Sequence, residues 1–140
     1  MSKGIERLNF PDLVDISDAP FCSVVQDDHY AHLAGIVAGD FAEGRSVVGD
    51  AAAETTAIMG VIQRLLAKIG LTMGDVVRCD VHLRDFSDLP AMNAAYAAFF
   101  PDAMFPARTT TQSGALSGGG TVEVTCVAKR SSRPARGDRA

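Results

Sequence analysis

The chain has 140 residues, of which 47% are hydrophobic and 21% are charged, and its formal net charge is −4. These values predict one domain with a real hydrophobic core and the composition of an ordinary soluble globular protein. They argue against general affinity for nucleic acid or anionic membranes, because phosphate binding is mainly cationic. The sequence lacks an apolar run of about eighteen residues and starts polar, so we expect a cytoplasmic protein without a membrane span or signal peptide.

The first third of the chain predicts strands. Residues 5–10 alternate enough to form a first strand. Residues 22–26 and 30–37 flank the turn pair Asp27-Asp28, which predicts a hairpin. The glycine-containing stretch 41–49 is predicted to be a loop.

Two helices are predicted after this loop. Asp50 is the expected N-cap of the first, and Glu54 in its first turn is favourable for the helix dipole. One apolar face is formed by residues spaced three and four apart, namely Ile58, Met59, Ile62, Leu65, Leu66 and Ile69. Gly70 supplies a left-handed stop, and Ser87 is predicted to cap a second helix that extends to Phe100.

The remaining strands complete an α+β pattern. Residues 76–83 alternate strictly, with Val77, Cys79, Val81 and Leu83 on one face and Arg78, Asp80, His82 and Arg84 on the other. Residues 105–112 and 121–128 are predicted to be two final strands joined by a glycine-rich loop. The order β-β-β-α-β-α-β-β predicts a mixed sheet with two helices on one face.

This sheet defines the predicted domain, residues 1–130, and the Arg-containing tail 131–140 is predicted to be disordered. The sheet face without helices must also be buried, and few of its residues are cleanly polar. We therefore expect a homo-oligomer.

Two opposite charges point to a functional site. Arg108 and Glu123 each stand alone among uncharged strand residues, in segments that we expect to form adjacent strands. Charged residues are seldom buried unless they are paired or used, and a guanidinium matches a carboxylate or phosphate while a glutamate can transfer protons. The alternative is a structural ion pair, or two residues on a solvated face of the sheet.

Cysteines and histidines do not indicate a metal site. The cysteines are three in number, Cys22, Cys79 and Cys126, and no two of them form a CxxC motif. The three histidines are not spaced as metal ligands either. Cys79 and Cys126 alternate with valines and are predicted to be small buried residues. For Cys22, near the possible site, a role in chemistry stays open. We predict neither a metal nor a disulfide framework.

Several segments resemble the Rid family (YjgF-type enamine/imine deaminases) over roughly residues 19–129. The strongest is Asn93-Ala94-Ala95-Tyr96-Ala97-Ala98-Phe99-Phe100, followed by Phe105-Pro106-Ala107-Arg108-Thr109, which is similar to the stretch before the family's catalytic arginine. Val122-Glu123-Val124 looks like the family's terminal strand with its acidic residue. Ala19-Pro20 and Leu33-Ala34-Gly35 match the opening strands more loosely.

The resemblance implies a chorismate-mutase-like (bacillus type) α+β subunit, assembled as a homotrimer with clefts between subunits. It implies hydrolysis of reactive 2-enamino or 2-imino acids to 2-oxo acids and ammonia, without metal or organic cofactor. By position, Arg108 would bind the substrate carboxylate, and Glu123 would place water or transfer protons. Asn93 and the backbone around Gly35 and Thr110 would line the pocket.

Two positions depart from the family pattern. Many members have an aromatic hydroxyl after the Ala-Pro, and we place Val24 at that position, where it would form an apolar wall. Ala34 replaces a serine that usually precedes the glycine. Phe21 and Tyr30 are nearby in sequence. Carboxylate capture and water placement remain possible, so the changes affect substrate choice first.

A deaminase of small 2-imino or 2-enamino acids is therefore the favoured function. One alternative is a non-catalytic trimer that binds a small carboxylate for regulation. Another is a family hydrolase specialised for a pathway enamine such as an aminomuconate. A nuclease is least favoured, because the chain is acidic and has no aromatic-basic surface. The expected partner is thus a small carboxylate-bearing imine or 2-oxo acid, and neither a nucleic acid nor a membrane.

Overall fold

The computed structural model describes residues 4–130. The predicted disorder of the tail 131–140 lies outside the described residues. The strands are β1 (Glu6–Leu8), β2 (Val24–Gln26), β3 (Tyr30–Leu33), β4 (Ile36–Val37), β5 (Val76–Leu83), β6 (Ala107–Gln112) and β7 (Val122–Lys129). The α-helices are α1 (Ala42–Arg45), α2 (Ala51–Lys68) and α3 (Leu89–Ala97).

The strands form one mixed sheet in the order β1-β2-β3-β7-β5-β6, and β4 also pairs with β7. The β5–β6 pair is parallel, whereas the other pairs are antiparallel. The predicted mixed sheet is confirmed. The expectation that the last two strands are adjacent in the sheet is wrong, because β5 lies between β6 and β7. Helix α3 makes the crossover that parallel neighbours require, and the chain then passes over β5 to reach β7.

Helix α2 follows its sequence signals closely. The Asp50 carboxylate accepts a hydrogen bond from the Ala53 backbone N–H at 3.1 Å, and Gly70 adopts φ 80° just after the helix. The side chains facing the sheet are fully buried, including Ile58, Ile62 and Leu65. Within residues 4–130, no helix combines the length and the apolar character that crossing a bilayer requires.

Local structure departs from the predictions near the helix ends. The predicted loop 41–49 contains the short helix α1, which the buried ring of Phe41 anchors to the core. Ser87 does not cap the next helix: its backbone N–H donates to the Asp85 carboxylate at 2.8 Å, and α3 begins two residues later. Helix α3 ends at Ala97, three residues before the predicted end.

An irregularity at the start of β5 changes which valine is buried. The register against β7 shifts between Val76 and Arg78. As a result, Val76 is buried and Val77 is 42% exposed, which is the reverse of the predicted alternation. Beyond this point the predicted pattern holds, because Cys79, Val81 and Leu83 are all buried.

Candidate functional site

Arg108 and Glu123 lie on opposite faces of the sheet. Arg108 is paired in register with Cys79, which faces the helices, whereas Glu123 is paired with His82. The two positions are two strands and three residues apart, roughly 14 Å between Cα atoms for ordinary sheet spacing. Within one chain, therefore, the two side chains cannot act on the same atom.

Arg108 is held from several sides on the helix face. Its Nη2 donates to Asn93 Oδ1 at 2.7 Å, and Nη1 approaches Met92 Sδ at 3.9 Å. The guanidinium carbon lies 4.8 Å from the centroid of the Tyr96 ring, at the distance of a cation–π contact. These contacts come from successive turns of α3, so the helix fixes the direction of the guanidinium.

A cavity of about 320 Å³ opens next to this arginine, and we call it the Arg108 pocket. It is lined by Asn93, Tyr96, Ala97, Phe105, Pro106 and Arg108. Its walls are mostly apolar, with one cation and one amide. Such a pocket suits a small organic anion that carries an apolar group.

Glu123 lines a second cavity of about 320 Å³, the Glu123 pocket. Its other lining residues are Phe21, Ala34, Gly35, Val37, Asp40 and Ser117. A Cβ atom on Gly35 would overlap Glu123 Oε2 and would lie 3.0 Å from Thr125 Oγ1. Only glycine therefore lets the carboxylate lie against the backbone here.

Asp40 is a second carboxylate in the Glu123 pocket, and sequence reasoning missed it. It is half-buried, and its Oδ2 accepts a long hydrogen bond of 3.3 Å from the Val37 backbone N–H. Burial raises the pKa of Asp40 above its ordinary value, and the nearby charge of Asp15 acts in the same direction. In the sequence, Asp40 looked like one of several polar residues in a glycine-containing turn.

Glu54 is a buried carboxylate on α2 that supports the strand carrying Glu123. Its side chain is fully buried, and Oε1 accepts from the backbone N–H groups of Thr121 (2.9 Å) and Val122 (3.2 Å). Oε2 accepts from the Gly49 N–H at 2.7 Å. Glu54 thereby fixes the first residue of β7, directly before Glu123. The sequence contained a signal, because Glu54 lies one helical turn before Ile58 on the apolar face of α2.

Val24 lines neither the Arg108 pocket nor the Glu123 pocket, so the prediction that it forms a wall of the substrate pocket is wrong. Strand alternation turns Val24 and Gln26 into the core, and Val24 is 0% exposed. The aromatic residue beside Gly35 and Glu123 is Phe21, which is 48% exposed. Because Phe21 follows the Ala19-Pro20 pair directly, counting from that pair would have found it.

Of the other predicted site residues, Asn93 lies in the Arg108 pocket and Gly35 in the Glu123 pocket. Thr110 is half-buried on β6, on the same face as Arg108, and is paired in register with Val81. It lies outside the lining of the Arg108 pocket given above. A role for Thr110 in substrate binding stays a prediction.

Comparison with known proteins adds independent information. The family model described as "Endoribonuclease L-PSP" matches residues 15–130. A "3-aminoacrylate deaminase RutC" from Acinetobacter baylyi is 34% identical over 110 residues, which are 79% of this chain and 86% of that protein. A "2-iminobutanoate/2-iminopropanoate deaminase" from Capra hircus is 30% identical over 128 residues, which are 91% of this chain and 93% of that protein.

The fold also matches solved structures. The crystal structure of the YjgF gene product from E. coli superposes with a TM-score of 0.78 at 22% sequence identity. The match covers 90% of this chain and 99% of that one. At this identity the likeness shows the fold, and it confirms the predicted α+β class with a single mixed sheet.

Proposed function

Because this chain belongs to the Rid (YjgF-type) family, whose model is described as Endoribonuclease L-PSP, we propose that it hydrolyses small 2-imino or 2-enamino acids. The products are the corresponding 2-oxo acid and ammonia. One relative, at 30% identity, is named as a deaminase of two 2-imino acids, and another, at 34%, is named as a deaminase of the enamine 3-aminoacrylate. The observation that supports the proposal most is the Arg108 guanidinium, held by Asn93 and Tyr96 at the edge of an apolar cavity.

Arg108 binds the substrate carboxylate. A guanidinium and a carboxylate form two parallel charge-assisted hydrogen bonds, and each contributes about 1.5–3 kcal/mol. Asn93 occupies only one side of the Arg108 guanidinium through Nη2, so other N–H groups stay available for an anion. The substrate's side chain would then lie against Phe105 and Pro106.

The site is completed by a second copy of the chain, and we take the assembly to be a homotrimer. One chain brings Arg108 and Glu123 to opposite faces of its sheet, so a complete site requires one face from each of two subunits. The face that carries Glu123 contains a polar patch, which the sequence argument for association did not expect, and in it Arg78 is bonded both to Asp80 and to Thr109 at 2.9 Å. A symmetric ring of subunits places the Arg108 pocket of one copy against the Glu123 pocket of the next.

Glu123 places the attacking water and accepts its proton. The oxygen of water adds to the imine carbon, and both protons of that water pass in turn through Glu123 to the nitrogen, which then leaves as ammonia while the C=O bond forms. A positioned acid/base of this kind contributes roughly 10²–10⁴ in rate. An imine is already reactive, so this magnitude is sufficient for a compound that also decays unaided.

Phe21 modifies the substrate preference. The family resemblance calls for an aromatic hydroxyl near this position, and Phe21 presents an aromatic ring without the hydroxyl in the Glu123 pocket. Together with Ala34, it makes this wall apolar. We therefore expect the enzyme to favour imines with an apolar side chain over the smallest ones.

The direct test is the substitution Arg108→Ala. It should abolish the accelerated release of 2-oxo acid from imines generated by an amino acid oxidase, and 2-iminobutanoate is a suitable substrate. Arg64→Ala is the matched control, because Arg64 is about half exposed and makes only a 3.8 Å ion pair with Glu43. A wild-type protein that does not exceed the uncatalysed rate on any 2-imino acid would refute the activity.

A second candidate is a regulatory trimer that binds a small carboxylate without turning it over. The missing hydroxyl at Phe21 favours this alternative, because that group is one way to hold the attacking water. Titration calorimetry with 2-oxobutanoate separates the two candidates. Binding through Arg108 together with absent turnover supports the regulatory function, whereas binding with turnover supports the enzyme.

A further inference from the structure

Cys79 and Cys126 form a buried thiol pair next to Arg108. They are directly paired across β5 and β7, and their sulfur atoms are 3.2 Å apart. Both are free cysteines with exposures of 0% and 1%. Directly opposite residues of antiparallel strands have Cα atoms about 4.5–5.5 Å apart, within the range of about 4.4–6.8 Å that a disulfide spans. A bond between them therefore requires little backbone movement.

This pair is in contact with the residues that hold Arg108. On its other side, Cys79 is paired in register with Arg108 itself. The buried hydroxyl of Tyr96 has no hydrogen-bond partner of ordinary length. Burial raises the pKa of Tyr96, and the adjacent Cys79 thiol raises it further. The Tyr96 ring also contacts the guanidinium, so a single side chain lies between Cys79 and Arg108 on this path.

The two thiols differ in their surroundings. The hydrogen bond with Cys126 lowers the pKa of Cys79, and the positive charge of Arg108 acts in the same direction. The same hydrogen bond, together with burial, raises the pKa of Cys126. Cys79 is also the thiol directly beside the Arg108 cation in the register of β5 and β6, and a neighbouring cation favours the nucleophilic thiolate, so in the chemistry proposed below Cys79 attacks first and Cys126 resolves.

We propose that Cys79 and Cys126 are a reversible oxidation site that hydrogen peroxide converts to a disulfide, weakening carboxylate binding at Arg108. The Cys79 thiolate attacks one peroxide oxygen, the O–O bond breaks, and after protonation the products are a sulfenic acid and water. Cys126 then attacks the Cys79 sulfur, loses its proton, and displaces a second water as the S–S bond forms. Two electrons pass from the thiols to the peroxide, and a dithiol reductant reverses the change.

The chemistry is tested by mass spectrometry on the full chain after treatment with hydrogen peroxide and alkylation under denaturing conditions. The protein should lose two hydrogens, leave one alkylatable thiol at Cys22, and yield a peptide pair linked through Cys79 and Cys126. Cys22→Ser should oxidise in the same way, whereas Cys126→Ala should stop at a sulfenic acid that dimedone traps. Three alkylatable thiols in the treated wild type, or a link that includes Cys22, would overturn the proposal.

The effect on the pocket rests on the proposed carboxylate-binding role of Arg108, and calorimetry tests it separately. The oxidised protein should bind 2-oxobutanoate about threefold or more weakly than the reduced protein, a modest coupling between neighbouring sites. Treatment with peroxide should change the affinity of the Cys126→Ala variant for 2-oxobutanoate less than it changes the affinity of the wild type. Equal affinity of both wild-type forms overturns the coupling. If neither form binds 2-oxobutanoate, that result counts against the proposed function. The mass spectrometry experiment then tests the disulfide by itself.

Discussion

Arg108 on β6 and Glu123 on β7 point to opposite faces of the sheet. Their partners on the intervening strand β5 are Cys79 and His82, which are an odd number of residues apart and therefore face opposite sides. If two subunits share each site, two inactive variants should repair one another. Arg108→Ala and Glu123→Ala, denatured together in equal amounts and refolded, should recover about a quarter of wild-type activity, since about one site in four receives both intact residues. Each variant refolded alone is the control. A mixture no more active than its components would show that each site lies within a single chain.

Asn93 is an uncharged acceptor for the Arg108 guanidinium. Replacing it with a negatively charged residue should therefore reduce activity more than removing its side chain. Asn93→Ala removes a 2.7 Å charge-assisted bond and should lower kcat/KM about tenfold or more. Asn93→Asp retains the acceptor oxygen but pairs with Arg108 as an ion, which competes with the substrate carboxylate. We expect the aspartate variant to lose more activity than the alanine variant in steady-state assays. The opposite order would mean that Arg108 does not bind an anion.

Glu54 should contribute more to stability than any exposed carboxylate. Glu54→Leu leaves the buried N–H groups of Thr121 and Val122, and the partly buried N–H of Gly49, without their acceptor, which should cost about 3–5 kcal/mol in the free energy of unfolding. Glu43→Gln is the control, because Glu43 is exposed and should change stability by less than about 0.5 kcal/mol. Urea unfolding measures both. A Glu54→Leu protein of wild-type stability would contradict the role of this carboxylate.

Phe21→Tyr should restore a hydroxyl to the Glu123 pocket. One additional hydrogen bond to substrate or water contributes about 0.5–1.5 kcal/mol, so kcat/KM for the smallest imine should rise about two- to tenfold. Val24→Tyr tests the alternative placement. It forces a ring into a fully buried site and should destabilise the fold without a gain in activity. A gain from Val24→Tyr and none from Phe21→Tyr would reverse this assignment.

Asp40 should make stability depend on pH in an unusual direction. Its raised pKa means that the folded protein holds the proton more tightly than the unfolded chain does. Stability is therefore lost as pH rises from the ordinary value, about 4, through the raised one. Asp40→Asn retains an acceptor for the Val37 N–H without the ionisation, so it should melt higher than the wild type at pH 7. This difference in melting temperature should disappear below about pH 4.

Sequence patterns predicted the parts of the fold that depend on neighbours along the chain. Helix α2 has a cap, an apolar stripe and a glycine stop, and all three lie within one segment. The order of β5, β6 and β7 depends on contacts between distant segments, which periodicity does not record. The placement of Val24 failed for a different reason, since the position was counted three residues beyond Phe21, the residue that directly follows the Ala19-Pro20 pair.

The candidate site was predictable in its residue types and less so in its assembly. Arg108 was found because an isolated guanidinium in a strand requires a partner, and Asn93 because it lies in the family-like helix. Asp40 was missed because its partial burial depends on how the folded chain packs around it, which the local sequence does not record. Glu54 was recognised as a residue of the first helical turn, but two of its three backbone partners, Thr121 and Val122, lie in a distant segment that only folding brings close.

Strand β7 pairs with β3, β4 and β5, and it is the last strand of the described chain. On the ribosome, the earlier strands emerge before the one that joins them, so the sheet cannot close until β7 has been synthesised. Until then, the apolar side of α2 has no complete surface to cover. We expect the nascent chain to need protection from aggregation, and the released chain to fold on the slower timescale typical of sheets that join distant segments.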